Sequence, residues 1–339
     1  MKLFVQIPCL NEEETLASVM RDIPRLIKGV DEVKILVVDD GSTDRTSEVA
    51  AGDGADYVVK LPYTQGLAKA FSAGINECLE HGADIIVNTD GDHQYSGRDI
   101  PRLIQPILEG RAEIVIGDRQ VGSVDHFSLF KKMLQKLGSK TVSLLSGTKA
   151  TDATSGFRAY SREAALRLNV FSKFTYTLET VIQAGANQMA VAHVPIRVNA
   201  PTRGSRLFSS TAAYLRKSIP TILRIYALYE PLRTFLYIGA TVFFLGLLGV
   251  LRFFYFWSTG GGQGHVQSLV IAAVLLIIGF QVWMLGIAAD LISVNRRLSE
   301  EILYRQKKQN GAALPEQTAT APGSKFEVLG SKLNQTGLG

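Results

Sequence analysis

The sequence predicts an α/β protein: a mostly parallel sheet flanked by helices, followed by a transmembrane helical hairpin. Three observations carry that reading. Short β-branched runs alternate with helical segments over the first 200 residues. The positions just past those runs are rich in carboxylates. Two long apolar runs lie toward the C-terminal end. Strands that alternate with helices need crossover connections, so the sheet is parallel and covered on both faces.

Lys2–Cys9 is the first strand: its apolar run LFVQIPCL stops at Asn11-Glu12-Glu13-Glu14 and lacks a small-residue cleavage site, so it is no signal peptide. Glu12–Lys28 follows as a helix ended by Gly29. Val33–Val38 is a strand, Thr43–Ala51 a helix, Tyr57–Leu61 a strand and Leu67–His81 a helix. Asp84–Asn88 is a strand, Asp99–Glu109 a helix and Glu113–Gly117 a fifth strand. Residues 234–257 carry one charge, Arg252, and residues 266–289 carry none. A bilayer core needs about 20 apolar residues, so both runs are long enough to span it. The loop STGGGQGH between them has no Lys or Arg, whereas Arg224 and Arg233 flank one side and Arg296, Arg297 and Arg305 the other. By the positive-inside rule both flanks, and with them residues 1–230 and both termini, are cytoplasmic.

These elements divide the chain into an α/β domain over 1–207, a juxtamembrane segment over 208–231, two spans within 232–295 and a basic helix with a polar tail over 296–339. In the juxtamembrane segment Leu215, Ile219, Ile222, Leu223, Tyr226 and Leu228 alternate with Arg216, Lys217 and Arg224, the pattern of interfacial amphipathic helices. An ordinary packed helix pair would read similarly. Residues 310–339, rich in Gly, Ser, Thr, Gln and Pro, read as disordered.

The composition excludes several classes. Of 339 residues 46% are apolar and 20% charged, too much core material for a disordered chain. Lys and Arg number 36 against 31 Asp and Glu; the net +5 is too weak to imply nucleic acid. Two cysteines, Cys9 and Cys78, make no disulfide scaffold. No P-loop, Gly-x-Gly-x-x-Gly fingerprint or Gly-x-Ser-x-Gly elbow is present.

In parallel sheets ligands sit beyond the carboxyl ends of the strands. There the chain places Pro8-Cys9-Leu10-Asn11-Glu12, Asp39-Asp40-Gly41-Ser42-Thr43-Asp44, Gln65-Gly66, Asp90-Gly91-Asp92-His93-Gln94 and Asp118-Arg119. A helix cap explains one or two such residues. It does not explain paired aspartates after two strands, which repel unless a cation or a donor-rich ligand joins them. Asp90 and Asp92 form the only Asp-x-Asp in the chain, and with Gln94 they offer oxygen ligands alone, which select Mg²⁺ or Mn²⁺ over zinc.

IPCLNEEETL, ILVVDDGSTDRT, GLAKAFSAGI, NTDGDHQY, DATSGFRAY and VPIRV followed by SRL occur in this order. On these motifs the chain resembles family 2 glycosyltransferases of the GT-A fold over about residues 3–207. More narrowly it resembles the polyprenyl-phosphate branch, which includes dolichol-phosphate mannose synthases. The resemblance implies a metal-dependent, inverting transfer of a hexose or related sugar from a UDP- or GDP-sugar to a polyprenyl phosphate such as undecaprenyl or dolichyl phosphate. It implies a nucleotide pocket of Pro8, Asn11, Glu12, Asp39, Asp40, Gly66 and Asp90, and a metal on Asp90, Asp92 and Gln94. Arg206, in Ser205-Arg206-Leu207, would reach the donor diphosphate. Arg119, Ser155 and Arg158 would face the acceptor phosphate, so that Asp92, Arg119, Arg158 and Arg206 form the catalytic set. Glu179 would stand near the acceptor sugar. Two positions depart from the family pattern. Ala200 replaces a common arginine, for which Arg203 is a candidate substitute. An arginine and serine expected after the fifth strand are replaced within LFKKMLQKLGSK, where Lys131 and Lys132 are the candidates. Another lipid or saccharide acceptor, or a non-catalytic membrane scaffold, are the alternatives. Association into homo-oligomers is compatible with the paired spans.

Overall fold

The computed structural model describes residues 1–119, 152–171, 175–199, 229–259 and 266–313. Arg206, Arg203, Ser205, Ala200, Lys131, Lys132, the amphipathic residues 208–228 and the tail beyond 313 lie outside the described residues. The chain forms two compact units, one of Met1–Ile222 together with Ile302–Gly339, the other of Leu223–Glu301.

The first unit is built on a seven-stranded sheet. Its strands are β1 (Lys2–Cys9), β2 (Glu32–Asp39), β3 (Tyr57–Lys60), β4 (Ile85–Asn88), β5 (Ile114–Asp118), β6 (Arg158–Ser161) and β7 (Val191–Pro195), in the order β3-β2-β1-β4-β6-β5-β7. The helices are α1 (Leu16–Asp22), α2 (Thr46–Gly52), α3 (Leu67–Glu80), α4 (Ile100–Leu108), α5 (Arg162–Arg167) and α6 (Tyr176–Ala186). β1 is buried almost throughout, as a central strand covered on both faces must be. Its alternate residues Leu3, Val5 and Ile7 join Ile35, Val37, Val87 and Ile104 in one core. Phe4, pointing the other way, stacks with Tyr57 at 5.8 Å.

Two departures from the sequence reading bear on the site. The sheet is mostly parallel, but β6 runs antiparallel to both β4 and β5. It therefore begins, at Arg158 opposite Asn88, at the edge where β1, β2, β4 and β5 end. The helix expected over Glu12–Lys28 is confined to Leu16–Asp22. Pro24 disfavours helical geometry in the residue before it, and Ile23 is extended at ψ 118°. Ahead of the helix, the Glu12 N–H donates to Thr46 Oγ1 at 2.8 Å, so side chains of another loop hold this stretch.

The second unit contains most of two helices, α7 (Pro231–Ser258) and α8 (Val266–Ala313), the latter ending in the first unit. Both are long and apolar enough to cross a membrane, with mean hydropathies of 2.1 and 2.5 in their most apolar windows. Large apolar side chains such as Tyr237, Leu251, Ile271 and Leu285 are exposed along them. Where the helices meet, glycines recur at seven-residue steps: Gly239 and Gly246 on one, Gly279 and Gly286 on the other. A Cβ on Gly279 would stand 2.8 Å from Phe243 Cβ, and one on Gly239 2.5 Å from the Trp283 ring. Small residues allow this backbone approach, and the Trp283 ring N–H donates to the Leu236 carbonyl at 3.2 Å. The last turns of α8 pack within the first unit: the Tyr304 hydroxyl donates to Glu163 at 2.6 Å, under the Arg167 guanidinium.

Candidate active site

The loops after β1 and β2 are stitched together by side chains. Cys9 and Asp39 are register partners, and the Asp40 N–H donates to the Cys9 carbonyl at 2.9 Å. Asn11, left-handed at φ +56°, accepts from the Thr43 N–H at 2.9 Å, while its own N–H donates to Ser42 Oγ. These bonds displace the helix start from Thr43 to Thr46. Asp39 is fully buried and accepts from the Ser42 N–H at 2.7 Å and from the Ser47 hydroxyl. Asp40 accepts from the N–H groups of Gln65 and Gly66 at 2.7 and 2.8 Å. Burial pushes the Asp40 carboxyl upward, against those two bonds. Gly41 is obligatory here: its φ is +72°, and a Cβ would strike the Tyr63 backbone at 2.6 Å. Asp39 and Asp40 thus shape the expected nucleotide pocket by ordering its backbone, with Pro8 and Glu12 buried beside them and Gly66 and Asn11 partly exposed.

The loop after β4 carries Asp90, Gly91, Asp92 and Gln94. It is tied to the first loop by Thr15, whose hydroxyl lies 2.9 Å from Glu12 Oε2 and 2.7 Å from the Gly91 carbonyl. Asp92 accepts from the Gln94 N–H at 3.1 Å across His93, which is left-handed at φ +58°. Burial first, and the charge of Asp92 second, push the Asp90 carboxyl up to about 7, although Arg119 and Arg158 pull it down. Two carboxylates so placed are relieved by a cation. Among the described residues no three His, Cys, Asp or Glu side chains gather into a complete cage. Two carboxylates and an amide oxygen instead suit a hard cation that keeps positions for a bound diphosphate. The residues present therefore fit Mg²⁺ or Mn²⁺.

Opposite stands the start of β6. Arg119 makes a two-pronged ion pair with Asp152, Nε to Oδ2 at 2.7 Å and Nη2 to Oδ1 at 2.9 Å, and Nη2 also donates to Thr154 Oγ1. Burial opposes the charge on Asp152, but the Arg119 fork outweighs it and holds the carboxyl below its ordinary range. Arg119 itself remains partly exposed. Arg158 is placed differently from the expectation of a phosphate ligand. It is 0% exposed and donates to the carbonyls of Ala153, Ser155 and Thr177 and to Thr180 Oγ1, all at 2.7–2.8 Å. Starting an antiparallel strand at the buried middle of the sheet turns its side chain inward, where it braces residues 153–155. Ser155 is also fully buried, and its hydroxyl meets no partner among the described residues. Glu179, 1% exposed, accepts the Phe171 N–H on both oxygens.

Three residues to which the sequence reading gave no role join this cluster: Asn88 and Tyr95 at the ends of NTDGDHQY, and Tyr176. Asn88 donates to the Gly156 carbonyl at 2.9 Å and to the Tyr176 hydroxyl at 2.8 Å, and the Gly156 N–H donates to the Tyr95 hydroxyl at 3.1 Å. Gly156 is thereby pressed against Asp90: a Cβ there would lie 2.8 and 2.9 Å from the carboxylate oxygens. The signal in the sequence was Asn88, a polar residue that closes an apolar strand.

Residues 4–168 match the model of glycosyl transferase family 2, and residues 230–294 match the GtrB C-terminal hairpin. Polyprenol monophosphomannose synthase of Mycolicibacterium smegmatis is 31% identical over 206 residues, covering 58% of this chain and 76% of that protein. Dolichyl-phosphate hexose transferase of Haloferax volcanii is 30% identical over 57% of this chain and 81% of its own length. Among solved structures, glucosyl-3-phosphoglycerate synthase of Mycobacterium tuberculosis, in complex with Mn²⁺, UDP-glucose and phosphoglyceric acid, superposes with a TM-score of 0.54 at 26% identity, covering 67% of this chain and 80% of that one.

Proposed function

This chain belongs to glycosyl transferase family 2, and from that premise we propose that it is a membrane-anchored enzyme that moves a sugar from a UDP- or GDP-sugar to a polyprenyl phosphate. The observation that carries the reading is the Asp90/Asp92 pair at the strand ends, one carboxyl pushed to about 7, in a chain that also carries the GtrB hairpin. Asp90, Asp92 and Gln94 would hold the divalent cation. When bound, it supplies charge neutralisation to the departing nucleoside diphosphate.

The chain's own residues do the rest. The backbone ordered by Asp39, Asp40 and Asn11 receives the nucleoside. Arg119, steadied by Asp152, faces the acceptor phosphate with the edge its ion pair leaves over. The second pKa of a phosphate monoester is about 6, so the acceptor is already ionised at neutral pH and needs orientation rather than a general base. One of its oxygens bonds to the anomeric carbon as the bond to the diphosphate oxygen breaks. The electron pair leaves with the nucleoside diphosphate, and a single displacement inverts the anomeric centre. Arg158 acts through the loop it supports, of which Ser155 is a part. Arg206, Lys131 and Lys132 enter as further cations from the family resemblance alone. The basic flanks of the hairpin favour a cytoplasmic catalytic unit and cytoplasmic termini by the positive-inside rule.

The test is incubation of the purified protein with Mn²⁺ or Mg²⁺, undecaprenyl phosphate and a panel of labelled UDP- and GDP-sugars. Label should pass into the organic phase with one donor and fail to do so with Asp92→Ala. Donor hydrolysis without lipid product would point to another acceptor. Absence of donor binding by folded protein would overturn the transferase reading in favour of a scaffold.

A further inference from the structure

The turn that carries Asp92 and Gln94 is held from outside by one residue. The Asn199 N–H donates to the Gln94 carbonyl at 2.9 Å, and the Asn199 side-chain amide donates to the His93 carbonyl at 2.9 Å. One residue thus captures two successive carbonyls of the turn. Around it Tyr95 and Val198 form an antiparallel bridge, and Arg197 is fastened to buried Asp99 through its N–H at 2.7 Å and its guanidinium at 3.2 Å. The turn needs such support. His93 sits at φ +58°, in the left-handed region that side chains other than glycine enter at a cost. Nothing in α/β topology requires residues 197–199 to meet this loop, because β7 ends at Pro195.

We propose that Asn199 is a positioning residue for the divalent cation: it fixes the His93–Gln94 backbone, and through it the relation between the Asp92 and Gln94 side chains. The proposal rests on reading Asp90, Asp92 and Gln94 as the cation's ligands. It extends that reading to a residue outside every motif, six positions ahead of Ser205 in the sequence. A partner that orients metal ligands typically changes affinity 10- to 100-fold when lost.

The test uses the full chain in detergent and Mn²⁺ titrations followed by electron paramagnetic resonance, with and without UDP. Asn199→Asp keeps the size and the backbone N–H but sets a carboxylate oxygen against the His93 carbonyl. Asn199→Ala removes the side-chain amide alone. Both should weaken Mn²⁺ binding about tenfold and raise by a similar factor the Mn²⁺ concentration that half-saturates transfer, while kcat at saturating metal changes less. Arg197→Ala, which loosens the same segment without touching the metal turn, should leave Mn²⁺ affinity within about twofold. Wild-type affinity in both Asn199 variants overturns the proposal. So does an affinity loss that Arg197→Ala reproduces alongside an equal drop in melting temperature, since that is a structural effect. Failure of the wild type itself to bind Mn²⁺ overturns the metal-site reading beneath it.

Discussion

Gly156→Ala separates the geometry of the Asp90 site from its chemistry, because it adds one methyl group and removes no charge. The backbone at Gly156 is not left-handed, so alanine brings no conformational strain there. The effect is steric. The new Cβ would stand 2.8 and 2.9 Å from the two Asp90 oxygens and 3.0 Å from the Tyr176 hydroxyl. Ordinary carbon–oxygen contact lies near 3.4 Å, so one side must yield by roughly half an ångström. Gly156 cannot yield readily, since Tyr95 holds its N–H and Asn88 its carbonyl. The carboxylate moves instead. Overpacking of this kind costs about 1–3 kcal/mol of stability. Displacement of one cation ligand should weaken Mn²⁺ binding about 10- to 100-fold, or roughly 1.4–2.8 kcal/mol. Isothermal titration with Mn²⁺ in the presence of UDP reads the second quantity, and a melting curve reads the first. Wild-type Mn²⁺ affinity in a folded Gly156→Ala protein would refute the placement of Asp90 in the cation site.

Three further outcomes follow from the same structure. Asp90 is held near 7 when folded and near its ordinary 3.8 when unfolded, so its contribution favours the folded state at acidic pH and is lost as pH rises from about 4 through about 7. Metal-free Asp90→Asn should therefore melt higher than wild type at pH 8 and nearly level with it at pH 4. Mn²⁺ affinity of the wild type should fall as pH drops below about 7. Asp152→Asn leaves the Arg119 guanidinium without its ionic partner and should cost about 3 kcal/mol by denaturant unfolding of the catalytic unit, with the transfer rate falling as well. Gly279→Leu collides with the Phe243 backbone and Cβ at 2.8 Å, and should abolish disulfide crosslinking between cysteines placed across the hairpin; persistent crosslinking would argue against the close helix approach.

The five parallel strands were legible because β-branched runs and glycine stops alternate at the spacing that crossover connections require. The carboxylate cluster proposed to hold the cation was legible because its aspartates fall just past strand ends, where like charges repel one another unless a cation or donor-rich ligand joins them. β6 was not legible because RAYS is short and partly polar, and its antiparallel direction depends on pairing with β4 and β5, which no local pattern records. The motif Ser155-Gly156-Phe157-Arg158 marks the right place but does not say which way its side chains point. Strand direction turns Arg158 inward to four internal acceptors and leaves Gly156 against Asp90. The long helix expected from Glu12 onward is shorter at both ends: the N–H groups of Glu12 and Glu13 donate to Thr46 and Asp44 of another loop, and Ile23 before Pro24 is extended.

The Arg119–Asp152 fork has a consequence for how such an enzyme can change. It joins the two ends of residues 120–151, whatever lies between them. Holding Arg119 against Asp152, 33 positions apart in the sequence, offsets part of the entropy of bringing them together, a cost that grows only slowly with the number of residues between. On this arithmetic a change in the number of residues between Arg119 and Asp152 adds little to the cost of closure. The clasp therefore sets the positions of Arg119 and of the stretch from Asp152 to Arg158 together, at the edge of the sheet where Gly156 meets Asp90.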